Sequence, residues 1–277
     1  MQNQVNALPS RAVNLPMCQL LGMNSFKPAQ LSFSLEGFLR RGGETGEHAD
    51  GWGIALYEER RCHLLIDEQP SAQSLMAQWI QQYSTRSRNI IAHIRKATQG
   101  VVSATNCHPF MRQLWGREWS FAHNGNLDVA ALPRAEHFQP VGQTDSELAF
   151  CLLLDALVRR FGETEPAPEA LHEVLAETTR QIAASGTFNF VLSNGEVLFA
   201  HRSTELHYVL RAHPFGRALL LDCQLGIDFS RINHPDDRMV IIATQPLTDE
   251  AWLPLPQGEL VAFAGGRRSS PLGLVGA

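Results

Sequence analysis

Most apolar residues of this chain fall in short runs bounded by charged or turn residues. Gln19–Met23, Gly53–Glu58, Cys62–Ile66, Ile90–Ile94, Trp119–Ala122, Phe188–Leu192, Val197–His201, Tyr208–Arg211, Met239–Ala243 and Glu259–Phe263 read as strands. Ser193-Asn194-Gly195-Glu196 predicts a hairpin between two of them. Three stretches repeat at helical spacing instead. Leu75, Met76, Trp79, Ile80 and Tyr83 follow Ser74. Thr144-Asp145-Ser146-Glu147 is a capping box that opens a helix through about Arg160. Leu171, Val174, Leu175, Thr178 and Ile182 form one face of a further helix. Strands and helices are grouped rather than alternating, which predicts an α+β fold with antiparallel sheets and not a doubly wound parallel sheet.

Composition narrows the function classes. With 277 residues the chain can bury roughly 75% of its unfolded surface, so it needs no metal or disulfide to fold. Its 23 basic and 28 acidic residues leave a net charge of -5, which supplies no surplus to neutralise a phosphate backbone, so nucleic acid is not an expected partner. The 5 cysteines are odd in number and contain no C-x-x-C, which points to a reducing cytoplasm. The longest apolar stretch, Leu148 to Val158, is broken by Asp155 and is too short to span a bilayer, so no membrane association is expected. No G-x-G-x-x-G or P-loop is present, and the histidines lack metal-ligand spacing. Neither a cofactor nor a metal is expected. Residues 1–16 lack the apolar core of a signal peptide and read as a polar extension ahead of a single domain spanning 17–277.

Four places could carry chemistry. Cys18 follows Met17 and opens a strand; such a cysteine is more often a small core residue. As an N-terminal residue, however, it would place an α-amine of ordinary pKa about 7.7–8.0 beside its own thiol, supplying nucleophile and base together. In His93-Ile94-Arg95-Lys96-Ala97-Thr98, period-2 alternation puts His93 and Arg95 on one face. Arg95 offers a rigid fork for a carboxylate, against the commoner fate of a surface ion pair; His93 reads as a core histidine. His123-Asn124-Gly125-Asn126 is either a turn or an oxyanion hole, in which the Asn124 amide and the Gly125 N–H point at one oxygen. Asp145 either serves the helix start or binds a substrate ammonium group.

Taken together and in this order, these four segments resemble the class II glutamine amidotransferases of the N-terminal-nucleophile hydrolase superfamily. The resemblance rests on Cys18, His93–Thr98, His123–Gly125 and Thr144–Glu147. Two further segments, His48-Ala49-Asp50-Gly51-Trp52-Gly53-Ile54-Ala55 and Ala243-Thr244-Gln245-Pro246-Leu247-Thr248, are similar to stand-alone members of the YafJ type. The likeness runs from Met17 to about Gly266. It implies a four-layer αββα sandwich of two antiparallel sheets. It also implies hydrolysis of a γ-glutamyl amide through a Cys18 thioester. Asn124 and Gly125 would form the oxyanion hole, Arg95 and Thr98 would hold the substrate α-carboxylate, and Asp145 its α-amine. His108 would help to shape the pocket. The active form is expected to begin at Cys18, because a peptide bond there removes the basic amine. Lys96, Gln99 and Gln245 depart from residues often found in relatives and bear on substrate choice.

The resemblance consumes the chain and leaves no fused synthase domain. The expected partner is a small γ-glutamyl substrate, glutamine or another γ-glutamyl amide, with any ammonia acceptor on a separate subunit. The alternative is a catalytically silent regulatory or ligand-binding module of the same fold. The simultaneous presence of Asn124, Arg95 and Asp145 argues against it.

Overall fold

The structure, a computed structural model, describes residues 18–83, 86–96 and 103–269. In chain order the elements are β1 (Gln19–Gln30), α1 (Ser32–Arg40), β2 (Trp52–Glu58), β3 (Arg61–Asp67), α2 (Leu75–Gln82), β4 (Arg86–Ile94), β5 (Phe110–Leu114) and β6 (Arg117–Asn124). Then follow α3 (Asp145–Phe161), α4 (Pro168–Ala183), β7 (Asn189–Ser193), β8 (Val197–His201), β9 (His207–Ala212), β10 (Arg217–Leu219) and β11 (Gly226–Asp228). The last strands are β12 (Arg238–Ala243), β13 (Leu253–Pro254), β14 (Leu260–Ala264) and β15 (Arg267–Ser269).

Two antiparallel sheets carry the fold. The first has the order β13-β9-β12-β1-β4-β2-β3 and the second β15-β14-β8-β7-β6-β5. Alternation along the strands generates the layers. In β4, Ile90, Ala92 and Ile94 face α1 and α2, where they pack with Leu35, Phe38 and Ile80, whereas Ile91 faces the other sheet. In β6, Trp119 and Phe121 face α3 and α4, and Phe121 stacks on Phe150 at 5.2 Å, whereas Ala122 faces inward. Three apolar cores result, one under each helical layer and one between the sheets. This is the αββα sandwich that the resemblance implied. Hydrogen bonds cross the middle core: the Tyr57 hydroxyl of β2 donates to the Ser193 carbonyl of β7 at 2.9 Å and sits 2.8 Å from Ser120 Oγ of β6.

The sequence pattern differs from the structure at the short strands β5, β10, β11, β13 and β15, which were not expected, and at the helices. Helix α1 was not expected, because its two serines and Gly37 dilute the helical pattern. Gly37 packs close to the tip of the Leu220 side chain, from which a Cβ would lie 2.9 Å. Helix α2 forms where expected but buries Ala77 and Ile80, leaving Leu75, Trp79 and Tyr83 80%, 51% and 64% exposed. A helix this short touches the sheet along a narrow line, so most of its apolar residues cannot reach the core. The capping box on α3 is half formed. Thr144 Oγ accepts from the Glu147 N–H at 3.2 Å, a bond of about 1 kcal/mol. The Glu147 carboxylate turns away from the cap to Arg112 and to the Gly142 N–H, both at 2.6 Å.

Candidate active site

The described parts of the four chemistry-bearing segments, His93–Thr98 as far as Lys96, meet at one end of both sheets. Cys18 immediately precedes β1, Arg95 follows β4, Asn124 ends β6, Asn189 starts β7 and Thr244 follows β12. Adjacent antiparallel strands thus deliver their termini to the same edge. Sequence separation is irrelevant to this convergence.

Cys18 Sγ lies in a backbone cradle. It accepts from the Lys96 N–H at 3.1 Å and is 3.3 Å from the Lys96 carbonyl. Burial pushes the thiol above its ordinary pKa, while the Lys96 amide and the Arg95 charge oppose the rise. The thiol is therefore protonated at neutral pH and needs a base before it can attack. Arg95 is buried, and its backbone is fixed by the strand-like pairing of its N–H with the Gly51 carbonyl at 2.9 Å. Its charge also acts on Cys107, so the thiols of Cys18 and Cys107 share one guanidinium neighbour.

Asn124 is directed toward Cys18. Alternation along β6 turns its side chain to the space between the sheets, where Nδ2 donates to the Cys18 carbonyl at 2.5 Å. Thr244 Oγ1 is 3.5 Å from the same nitrogen and accepts from the Leu20 N–H at 2.9 Å. The Asn124 carbonyl is held by Asn189 Nδ2 at 3.1 Å. Asn189 is itself locked by Thr204 and by the Ser203 and Thr204 amides. Gly125 follows with φ +156°, and an added Cβ would lie 1.9 Å from the Thr187 carbonyl oxygen. No side chain fits at that position, which keeps the loop close to its neighbours.

Asp145 is buried at the first position of α3. Its Oδ2 accepts from the Leu127 N–H at 2.7 Å, tying the helix to the segment after Gly125. His123 completes the support. Its Nε2 meets the Thr187 carbonyl at 3.0 Å, and its Nδ1 is 2.8 Å from Ser146 Oγ, which lies 3.4 Å from Asp145 Oδ1. Asp145 is thus a structural anchor between α3 and the segment after Gly125. Each of its oxygens keeps a second lone pair available to a donor. Thr98, Gln99 and residues 1–17 lie outside the described residues.

Several residues support the site beyond the roles that the sequence assigned. Asn189 and Thr244 are two of them. Arg41 is a third: it binds both Asp222 oxygens, Gln19 Oε1 and the Gln245 and Pro246 carbonyls, clamping the end of α1 to the residue after Cys18. Gln245 therefore contributes its backbone here. A fourth element is the pair formed by His93 and His108, which face each other with His108 Nδ1 3.2 Å from His93 Nε2.

Burial pushes His93 down to about 3, and it lowers His108 and His123 as well. These rings fold neutral, whereas in the unfolded chain they gain protons below about pH 6.5. The unfolded state then binds more protons, so their contribution is intact above pH 6.5 and is lost progressively as pH falls toward 3. Denaturant unfolding at pH 7 and pH 5 should show stability falling with acidification. His93→Gln should flatten the dependence by up to about 1.4 kcal/mol per pH unit. An unchanged slope in that variant would mean that His93 is protonated in the native chain.

Comparison with known proteins follows the same outline. The model of the class II glutamine amidotransferases matches residues 17–272. A Haemophilus influenzae protein named "Putative glutamine amidotransferase" is 48% identical over 255 residues, covering 91% of this chain and 86% of that protein. An Escherichia coli relative, whose name adds YafJ, is 44% identical over 253 residues, covering 91% of this chain and 99% of that one. The 2.0 Å crystal structure titled as a predicted glutamine amidotransferase from Pseudomonas aeruginosa superposes with a TM-score of 0.72 at 39% identity, covering 91% of this chain and 100% of that one.

Proposed function

The chain belongs to the class II glutamine amidotransferases, and on that premise we propose that it hydrolyses a γ-glutamyl amide through a thioester on Cys18. The observation that carries this reading is the Asn124 side-chain amide, which donates to the Cys18 carbonyl while Asn189 holds the Asn124 backbone. In the active form, which begins at Cys18, the α-amine removes the thiol proton. The thiolate attacks the γ-carbonyl, and the oxyanion is held by Asn124 Nδ2 and the Gly125 N–H. The ammonium returns its proton to the leaving amine as the tetrahedral intermediate collapses to the thioester. Water, activated by the same amine, releases glutamate and restores the thiol.

At the far end of the substrate, Arg95 and Thr98 take the α-carboxylate and Asp145 the α-ammonium. A zwitterionic head requires one cation and one anion, and fixing both positions the γ-carbonyl at the thiol. The raised thiol pKa supports the need for the amine, because a buried, protonated sulfur is a poor nucleophile without a base.

A substrate panel tests the proposal. Glutamine and bulkier γ-glutamyl amides should be hydrolysed and asparagine should not, because its side chain is one methylene too short to reach Cys18 while its head is held. Turnover of asparagine at a rate near that of glutamine would contradict the assigned head contacts. Strict glutamine use, with ammonia transfer only after a second protein is added, would make the chain an amidotransferase subunit instead of a free-standing hydrolase.

A further inference from the structure

The β10–β11 hairpin belongs to neither of the two large sheets. It lies against the first helical layer, with buried Leu220 packed on Gly37 of α1. Backbone bonds join it to the segment that follows β12. The Leu221 N–H donates to the Leu247 carbonyl at 3.0 Å, and the Asp249 N–H donates to the Leu219 carbonyl at 3.0 Å. Burying a carboxylate is unfavourable unless it is paired. The hairpin turn nevertheless carries Asp222 inward to Arg41, with both side chains only 10% exposed.

Arg41 spends every donor of its guanidinium on fixed acceptors. Nε lies 3.0 Å from both Asp222 oxygens, and Nη2 donates to Asp222 Oδ2 at 2.9 Å. Nη2 also donates to the Pro246 carbonyl at 2.6 Å. Nη1 donates to Gln19 Oε1 at 3.2 Å and to the Gln245 carbonyl at 3.0 Å. Gln19 is the residue after Cys18. Gln245 is the residue after Thr244, whose hydroxyl accepts from the Leu20 N–H and lies 3.5 Å from Asn124 Nδ2. One planar fork therefore touches the neighbours of both the thiol residue and the Asn124 amide. Its only carboxylate partner among the described residues is Asp222, and a bidentate pair fixes the plane of a guanidinium.

We infer that Asp222 is a positioning residue for turnover: it aims the Arg41 fork, and the fork sets the Cys18 thiol against the Asn124 amide. This role rests on the reading of Cys18 as nucleophile and Asn124 as oxyanion donor. Neither Asp222 nor Arg41 belongs to the groups assigned to the substrate head, so the expected loss lies in the chemical step and not in binding. A displacement of about 1 Å at a reacting group can cost about 10²-fold in rate.

The experiment uses the full chain in its active form, with glutamine as substrate. Asp222→Asn and Arg41→Lys should each lower kcat at least about tenfold while KM stays within about threefold. Arg41→Lys keeps a cation for Asp222, but an ammonium cannot serve three segments in one plane. Should Asp222→Asn fail to fold, Arg41→Lys decides. The double variant should be no slower than the slower single variant, because the two residues act as one unit. Alkylation of Cys18 by iodoacetamide, read by peptide mapping, should keep its rate within about twofold, since the base that activates the thiol is on the same residue. Arg217→Gln breaks an exposed pair on the same hairpin and should leave kcat unchanged. Wild-type kcat in Arg41→Lys, a loss confined to KM, faster alkylation of Cys18 or multiplied losses in the double variant would each overturn the role. Wild-type turnover and its loss in Cys18→Ala, measured alongside, test the nucleophile separately.

Discussion

Cys18→Ala should lower glutamine hydrolysis by at least about 10⁴-fold, because no later step is available once the thioester cannot form. The protein should remain folded, since Cys18 sits at a strand terminus and contributes little to the three apolar cores. The other cysteines provide the controls. Cys151 is fully buried in α3 with its thiol pushed up to about 11, so its replacement should leave kcat largely intact. Cys107 is a sharper control because it lies near Arg95. Cys107→Ala should act through substrate affinity, raising KM without removing turnover. A Cys107→Ala chain with no activity, beside an active Cys18→Ala chain, would reverse the assignment.

Asn124→Ala should lower kcat by about 10²–10³-fold with little change in KM. The reason is that the charge its amide would meet exists only in the transition state. Its present partner, the Cys18 carbonyl, is a neutral acceptor that the oxyanion would outcompete. Asn189 holds the Asn124 backbone and Gly125 packs on Thr187, so the loss should be confined to one donor instead of a collapsed loop. Steady-state kinetics and far-UV circular dichroism together check this. A large rise in KM at constant kcat would place Asn124 in ground-state binding and leave the oxyanion without its named donor.

The strands were legible because each sheet has one face against a helical layer and the other against its partner sheet, which writes apolar runs and period-2 alternation into the chain. Ile90–Ile94 and Trp119–Ala122 illustrate this directly. Helix α1 was not legible, because Ser32, Ser34 and Gly37 dilute its helical pattern, and its apolar partners lie far along the chain. The exposed face of α2 shows the converse: Leu75, Trp79 and Tyr83 have helical spacing, yet spacing alone does not say which side meets the sheet. At the site, Cys18, Asn124 and Gly125 lie in short segments with a chemical signature. Asn189 and the Arg41–Asp222 pair do not, since their roles arise only where strand ends converge, and Thr244, although inside the Ala243–Thr248 segment, takes its contacts from the same convergence. Asp145 was read as a choice between helix start and substrate contact. The structure gives its carboxylate a third task, holding the Leu127 amide, while Thr144 supplies the cap.

The most direct test of the central claim is the intact mass of the active protein after reaction with an electrophilic glutamine analogue, followed by peptide mapping of the adduct. One measurement then reads both the N-terminus and the nucleophile. The account predicts a chain beginning at Cys18 that carries a single adduct on Cys18, with activity lost in proportion to labelling. A fully active chain that retains residues 1–17, or an adduct on Cys107 or Cys223 that abolishes activity, would contradict it.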